Sequence, residues 1–170
     1  MQKDREETLQ KAYDQGFHYE KEYKGCSQCV LAAIQDTLGM ENDAGFNAVF
    51  KSATGLAGGL SGTCSGSCGA LTGGVMAISY KVGRERNNFS DPEEIRFKTR
   101  DLTLRLYDKF IETYGSGNCQ EIQKKLFGRS YNLLDPADRE AFEQAGSHID
   151  KCPAVVAKAA RWAVDLLLDV

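Results

Sequence analysis

The chain has three prolines, two histidines and one tryptophan in 170 residues, and it contains neither a long apolar run nor a block of like charge. Each scarcity excludes something. The longest apolar-looking stretch, Leu71 to Tyr80, is far short of the roughly 20 residues that cross a bilayer, so no membrane span is expected. The 21 basic and 24 acidic residues leave a formal net charge of -3, and no run of Lys and Arg interleaves with aromatics, which argues against a nucleic-acid partner. Met1 to Gln10 is dense in charge without an apolar segment; it reads as neither secretory signal nor membrane anchor, and the expected location is the cytoplasm. Sustained period-two alternation of β-formers is missing too, which leaves an all-α fold.

The few prolines are informative where they stand, because proline at the first helical position loses no hydrogen bond and presets the backbone angle. Asp91-Pro92-Glu93-Glu94, followed by Ile95, Leu102, Leu106, Phe110 and Tyr114 at helical spacing, predicts a helix over 92–114. Asp135-Pro136 opens a short helix. Cys152-Pro153 opens a final one carrying Val155, Val156, Ala159, Ala160, Ala163, Leu166 and Leu167. Further helices fit 4–22, 27–38, 43–53, 68–86 and 119–127. Trp162 and the tyrosines at 13, 19, 23, 80, 107 and 114 fit packing faces or their edges. With no internal repeat and no linker, residues 1–170 read as one domain, a multi-helix bundle with a Gly/Cys-rich loop.

That loop, Gly55 to Gly74, holds eight of the seventeen glycines. A phosphate-binding loop would need Gly-Lys-Ser/Thr after a strand, and neither is present. Glycine here instead permits close backbone approach, either to a packed helix or to a cofactor whose sulfurs accept N–H bonds.

Six cysteines stand out in a domain large enough not to need disulfides, and a reducing location favours metal binding or thiol chemistry over cross-links. Four of them, Cys26, Cys68, Cys119 and Cys152, fall at predicted helix starts, where partial positive charge and free N–H donors favour thiolate over thiol. Asn118-Cys119-Gln120-Glu121 resembles a capping box. Cys29 and Cys64 lie three and four residues from Cys26 and Cys68, at spacings that can aim each pair to one side. A lone cysteine is most simply a small buried hydrophobe, but burial alone does not place four at helix starts. Structural zinc would use Cys26 and Cys29 as half a site, yet no second C-x-x-C follows and the gaps fit no compact ribbon. Val30 stands where covalent haem attachment requires histidine. His18 and His148 receive no role.

Cys26-Ser27-Gln28-Cys29-Val30, then Cys68-Gly69-Ala70-Leu71-Thr72-Gly73, then single Cys119 and Cys152, resembles the family of redox-active proteins named for its C, GCAxxG, C, C cysteine pattern. The resemblance implies a shared site of four cysteines, which map onto Cys26, Cys68, Cys119 and Cys152, with Gly69 and Gly73 in the cofactor-binding element. Cys29 and Cys64 depart from the minimal pattern. A similar module is implied in split-Soret cytochromes, where it is associated with an iron-sulfur centre, and that analogy puts a cluster ahead of a plain dithiol.

The expectation is therefore an iron-sulfur protein, an electron carrier or redox sensor in preference to a substrate-specific enzyme, with Cys29 or Cys64 able to replace a ligand. The alternatives are a thiol-disulfide oxidoreductase drawing its pair from Cys26, Cys29, Cys64 and Cys68, and a structural zinc or interaction domain. A redox partner protein is implied, and a homodimer is left open.

Overall fold

The computed structural model describes residues 2–170, and among these the apolar periodicities resolve into eight α-helices with no β-strand. They are α1 Gln2–Tyr23, α2 Cys26–Thr37, α3 Ala44–Ser52, α4 Gly69–Val82, α5 Ile95–Tyr114, α6 Cys119–Phe127, α7 Pro136–Gln144 and α8 Cys152–Leu167. Met1 lies outside the described residues. No helix among them is long and apolar enough to cross a membrane.

Helix α8 is the axis of the bundle. Its residues Val155, Val156, Ala159, Ala160, Ala163, Leu166 and Leu167 are all buried, because α1, α2, α4 and α5 each pack against it. The small alanines let those neighbours approach, and the branched residues fill the space between. Helix α1 lies antiparallel along α8: Arg5, near the start of α1, donates to Asp165 and Asp169 near the end of α8, while Glu6 pairs with Arg161. These pairs are at the surface and set register more than stability. Leu106 and Phe110 of α5 are completely covered, and Phe110 meets Trp162 edge to face at 5.6 Å.

Three sequence expectations shift. The helix predicted from 92 begins at Ile95, since Asp91 and Glu94 adopt left-handed backbone, with φ of 58 and 56 degrees. Asp91 still caps it, accepting from the N–H groups of Ile95 and Arg96 at 2.8 and 3.2 Å, but it does so across a Pro92–Glu94 turn. The helix predicted to reach 86 stops at Val82, and Arg86–Asn88 form a separate 3-10 turn. Tyr23, expected on a packing face, is 72% exposed.

Candidate functional site

The starts of α2, α4, α6 and α8 meet at one end of the bundle, and Cys26, Cys68, Cys119 and Cys152 line a single cavity of about 370 Å³ there. Ile122, Leu126, Val155, Val156 and Phe142 form its apolar wall. Cys68 and Cys119 are buried; Cys26 and Cys152 keep partial exposure and also face the cavity.

Each start is built differently. Gly25, at φ 90 degrees, turns the chain into α2. Cys68 and Cys119 are laced together: the Cys68 N–H donates to the Gly117 carbonyl at 2.8 Å and the Cys119 N–H to the Gly66 carbonyl at 3.0 Å, flanking a Ser67–Asn118 bridge. The Asn118 side chain caps α6, accepting from the Gln120 and Glu121 N–H groups. The capping box is only half made, since Glu121 pairs with Lys124. Cys152 differs most from expectation. A π-helical turn, Ser147–Lys151, runs straight into α8, and the Cys152 N–H is already bonded to the Ser147 carbonyl. Its sulfur therefore has no helix-start amides of its own.

Burial outweighs the helix-start effect. It pushes all four thiols above their ordinary range: Cys68 rises to about 11, although the N–H groups of Ala70 and Leu71 oppose the rise, and Cys26 rises despite the N–H groups of Gly58 and Ser27. Cys152 rises through burial and the charge of Glu20, and Cys119 because its thiol proton is held by Cys64 and by burial. The expectation of low-pKa nucleophiles at Cys26 and Cys68 is corrected: without a metal these are protonated thiols.

The two additional cysteines separate. Cys29 does not line the cavity; it donates to the Lys24 carbonyl at 3.2 Å, packs near Tyr19, Tyr23 and Phe50, and neighbours Glu20, which does line it. Cys64 sits beside Cys119, and the Gln123 amide points at both sulfurs, 3.3 Å from Cys64 and 3.9 Å from Cys119. The pairing of Cys64 with Cys68 suggested by spacing is not what the fold makes. Gly69 and Gly73 do not line the cavity either. They form the seam where α4 crosses the start of α2.

Sequence reasoning missed Gln123, Glu20 and a place for His148. Gln123 was findable, four residues after Cys119 and so on the same face of α6. Glu20 was not, since it belongs to a heavily charged helix and is covered only by tertiary packing. It is 2% exposed, with Oε2 unpartnered and Oε1 3.6 Å from His148 Nε2. Burial raises its carboxyl from 4.5 to about 7. Below pH 4.5 it is neutral whether folded or unfolded, so burial costs nothing; as pH rises through 7 the folded state must carry a buried charge, and that stability is lost. Glu20→Gln is therefore expected to raise the melting temperature by several degrees at pH 8, equivalent to about 3 kcal/mol, and by much less at pH 5. Equal shifts at both pH values in thermal melts would refute this.

Fold and cavity together define an all-α domain built to gather thiols from four helix starts. The family described as "Putative redox-active protein (C_GCAxxG_C_C)" matches residues 25–166, which include all four of these cysteines, and the chain belongs to it. Neither a curated protein nor a solved structure matches the chain.

Proposed function

We propose that this protein holds an iron-sulfur cluster through the thiolates of Cys26, Cys68, Cys119 and Cys152, and serves electron transfer or redox sensing with a partner protein. The observation that carries the reading is the convergence of four thiols on one largely apolar cavity. All-sulfur ligation suits iron-sulfur centres and zinc alike. The cavity of about 370 Å³ that the four cysteines line has room for a group of several atoms, and their spacing along the chain fits no compact zinc ribbon.

When bound, such a cluster supplies a reversible one-electron couple tuned by hydrogen bonds, charge and burial. The chain provides all three. The N–H groups of Gly58 and Ser27 lie toward the Cys26 sulfur, those of Ala70 and Leu71 toward Cys68, and the Gln123 amide toward Cys119. The wall from Ile122 to Phe142 is apolar, and Glu20 brings a carboxyl to the lining.

Protein purified without oxygen is expected to be brown and to contain iron; colourless protein carrying zinc or no metal would overturn the reading. Because the metal-free thiols are held protonated, ligation must release a proton from each, so loading gains as pH rises. Anaerobic reconstitution should bring more iron into the protein at pH 8 than at pH 6, and the reverse order would contradict the assignment of protonated thiols.

A further inference from the structure

The molecule holds one thiol pair that the four-cysteine site does not explain. Cys64 is buried, and its sulfur shares a donor with that of Cys119: the Gln123 amide stands 3.3 Å from the first and 3.9 Å from the second. The two segments are tied by backbone as well: the Gln120 N–H donates to the Cys64 carbonyl at 3.0 Å. Hydrogen-bonded backbones of this kind run about 5 Å apart, inside the range a disulfide spans.

The surroundings are shaped to this contact. Cys64 takes left-handed backbone at φ 58 degrees, a conformation that a non-glycine residue adopts only at a cost. Gly59 lies between the two cysteines. A Cβ on it would stand 2.7 Å from Cys119 Cβ and 2.9 Å from Cys64 Cα, so only glycine lets both crowd one point. Gln123 is immobilised, since its Oε1 accepts from the Tyr131 N–H at 2.8 Å while its amide donates to the Cys64 sulfur. The same amide also faces the Cys119 sulfur, so one fixed donor holds the two sulfurs side by side.

We propose that Cys64 and Cys119 form a reversible disulfide on exposure to hydrogen peroxide, and that this oxidation withdraws Cys119 from the cavity. The disulfide stands on the pair alone; the withdrawal of a ligand rests on the cluster reading above. The Cys64 sulfur attacks one peroxide oxygen and the O–O bond breaks. One oxygen remains as Cys64 S–OH, and the other takes the Cys64 proton and leaves as water. The Cys119 sulfur then attacks the Cys64 sulfur, the S–S bond forms as the S–O bond breaks, and the hydroxyl leaves with the Cys119 proton as a second water. The two thiols lose two electrons and the peroxide gains them. A dithiol reductant reverses the reaction by exchange.

The test uses the full chain stripped of metal, treated with equimolar hydrogen peroxide, alkylated and digested without reduction. Two of the six thiols should be lost and should return with dithiothreitol. Mass spectrometry should link Cys64 to Cys119, with fragmentation separating Cys64 from Cys68. Cys64→Ser should abolish the link, and Cys29→Ser should leave it intact. Linkage of Cys26 to Cys29 or of Cys64 to Cys68 in its place, or no linkage, overturns the pair. The second arm measures iron release from loaded protein under the same dose, expected to be several-fold slower in Cys64→Ser; equal release overturns the gating. A chain that forms the disulfide but never binds iron refutes the cluster and leaves the pair standing, whereas iron without the disulfide does the opposite.

Discussion

Serine at Cys26, Cys68, Cys119 or Cys152 is expected to remove most of the bound iron, with affinity at least about tenfold weaker, because a hydroxyl is a hard and poorly ionised substitute for thiolate. The effect should be confined to these four. Cys29 does not line the cavity and donates to the Lys24 carbonyl, so Cys29→Ser should keep its iron. Cys64→Ser should bind nearly as much as the parent protein, since Cys64 does not line the cavity and reaches it only through its neighbours Cys119 and Gln123. Iron per chain after anaerobic reconstitution, alongside the visible spectrum, measures all six variants. Full retention in the four cavity variants would overturn the ligand assignment, and equal loss in all six would mean that a larger group is held by every cysteine. Serine is nearly isosteric with cysteine, so helical circular dichroism should stay unchanged and separate ligand loss from unfolding.

Gly73→Ala is expected to destabilise the bundle. Alanine in place of a mid-helix glycine ordinarily gains about 1 kcal/mol. Here the added Cβ would stand 2.4 Å from the Ser27 carbonyl oxygen and 3.1 Å from Ser27 Cα, which is backbone and cannot rotate aside. Ser27 is itself fixed, completely buried, with its hydroxyl donating to the Ala53 carbonyl at 2.9 Å. Helices α2 and α4 would have to separate, at a cost of about 1–3 kcal/mol for overpacking. Urea unfolding of the metal-free protein measures it, and an increase in stability would show that the seam is loose. Gly69→Ala provides the contrast. Its Cβ would fall 2.3 Å from Cys26 Sγ, so the sulfur must leave its position, and iron should be lost in excess of any change in unfolding. The sequence reading expects both glycines in the cofactor-binding element; in the structure both lie on the seam with α2, Gly69 against the Cys26 sulfur and Gly73 against the Ser27 backbone.

Much of the molecule was legible in the one-dimensional chain. The apolar stripe from Val155 to Leu167, the Asp135-Pro136 start and the Asn118 cap are local signals, carried within a turn or two of helix, and they survive into the structure unchanged. The placement of four cysteines at helix starts is local in the same sense. Asp91 marks the limit of such signals: the capping residue was identified, but an intervening turn moved the helix start three residues onward.

What the chain by itself determined, then, is which segments are helical and that four sulfurs stand at their beginnings, because periodicity and capping depend on neighbours a few residues away. The tertiary structure alone decided that those four beginnings meet at one cavity, that Cys29 does not line it and that Cys64 pairs with Cys119 and not with Cys68. It also decided the protonation of the thiols. Helix-start donors act over one turn and are visible in sequence, whereas burial depends on how α1, α2, α4 and α8 pack together, and near these sulfurs burial is the larger effect.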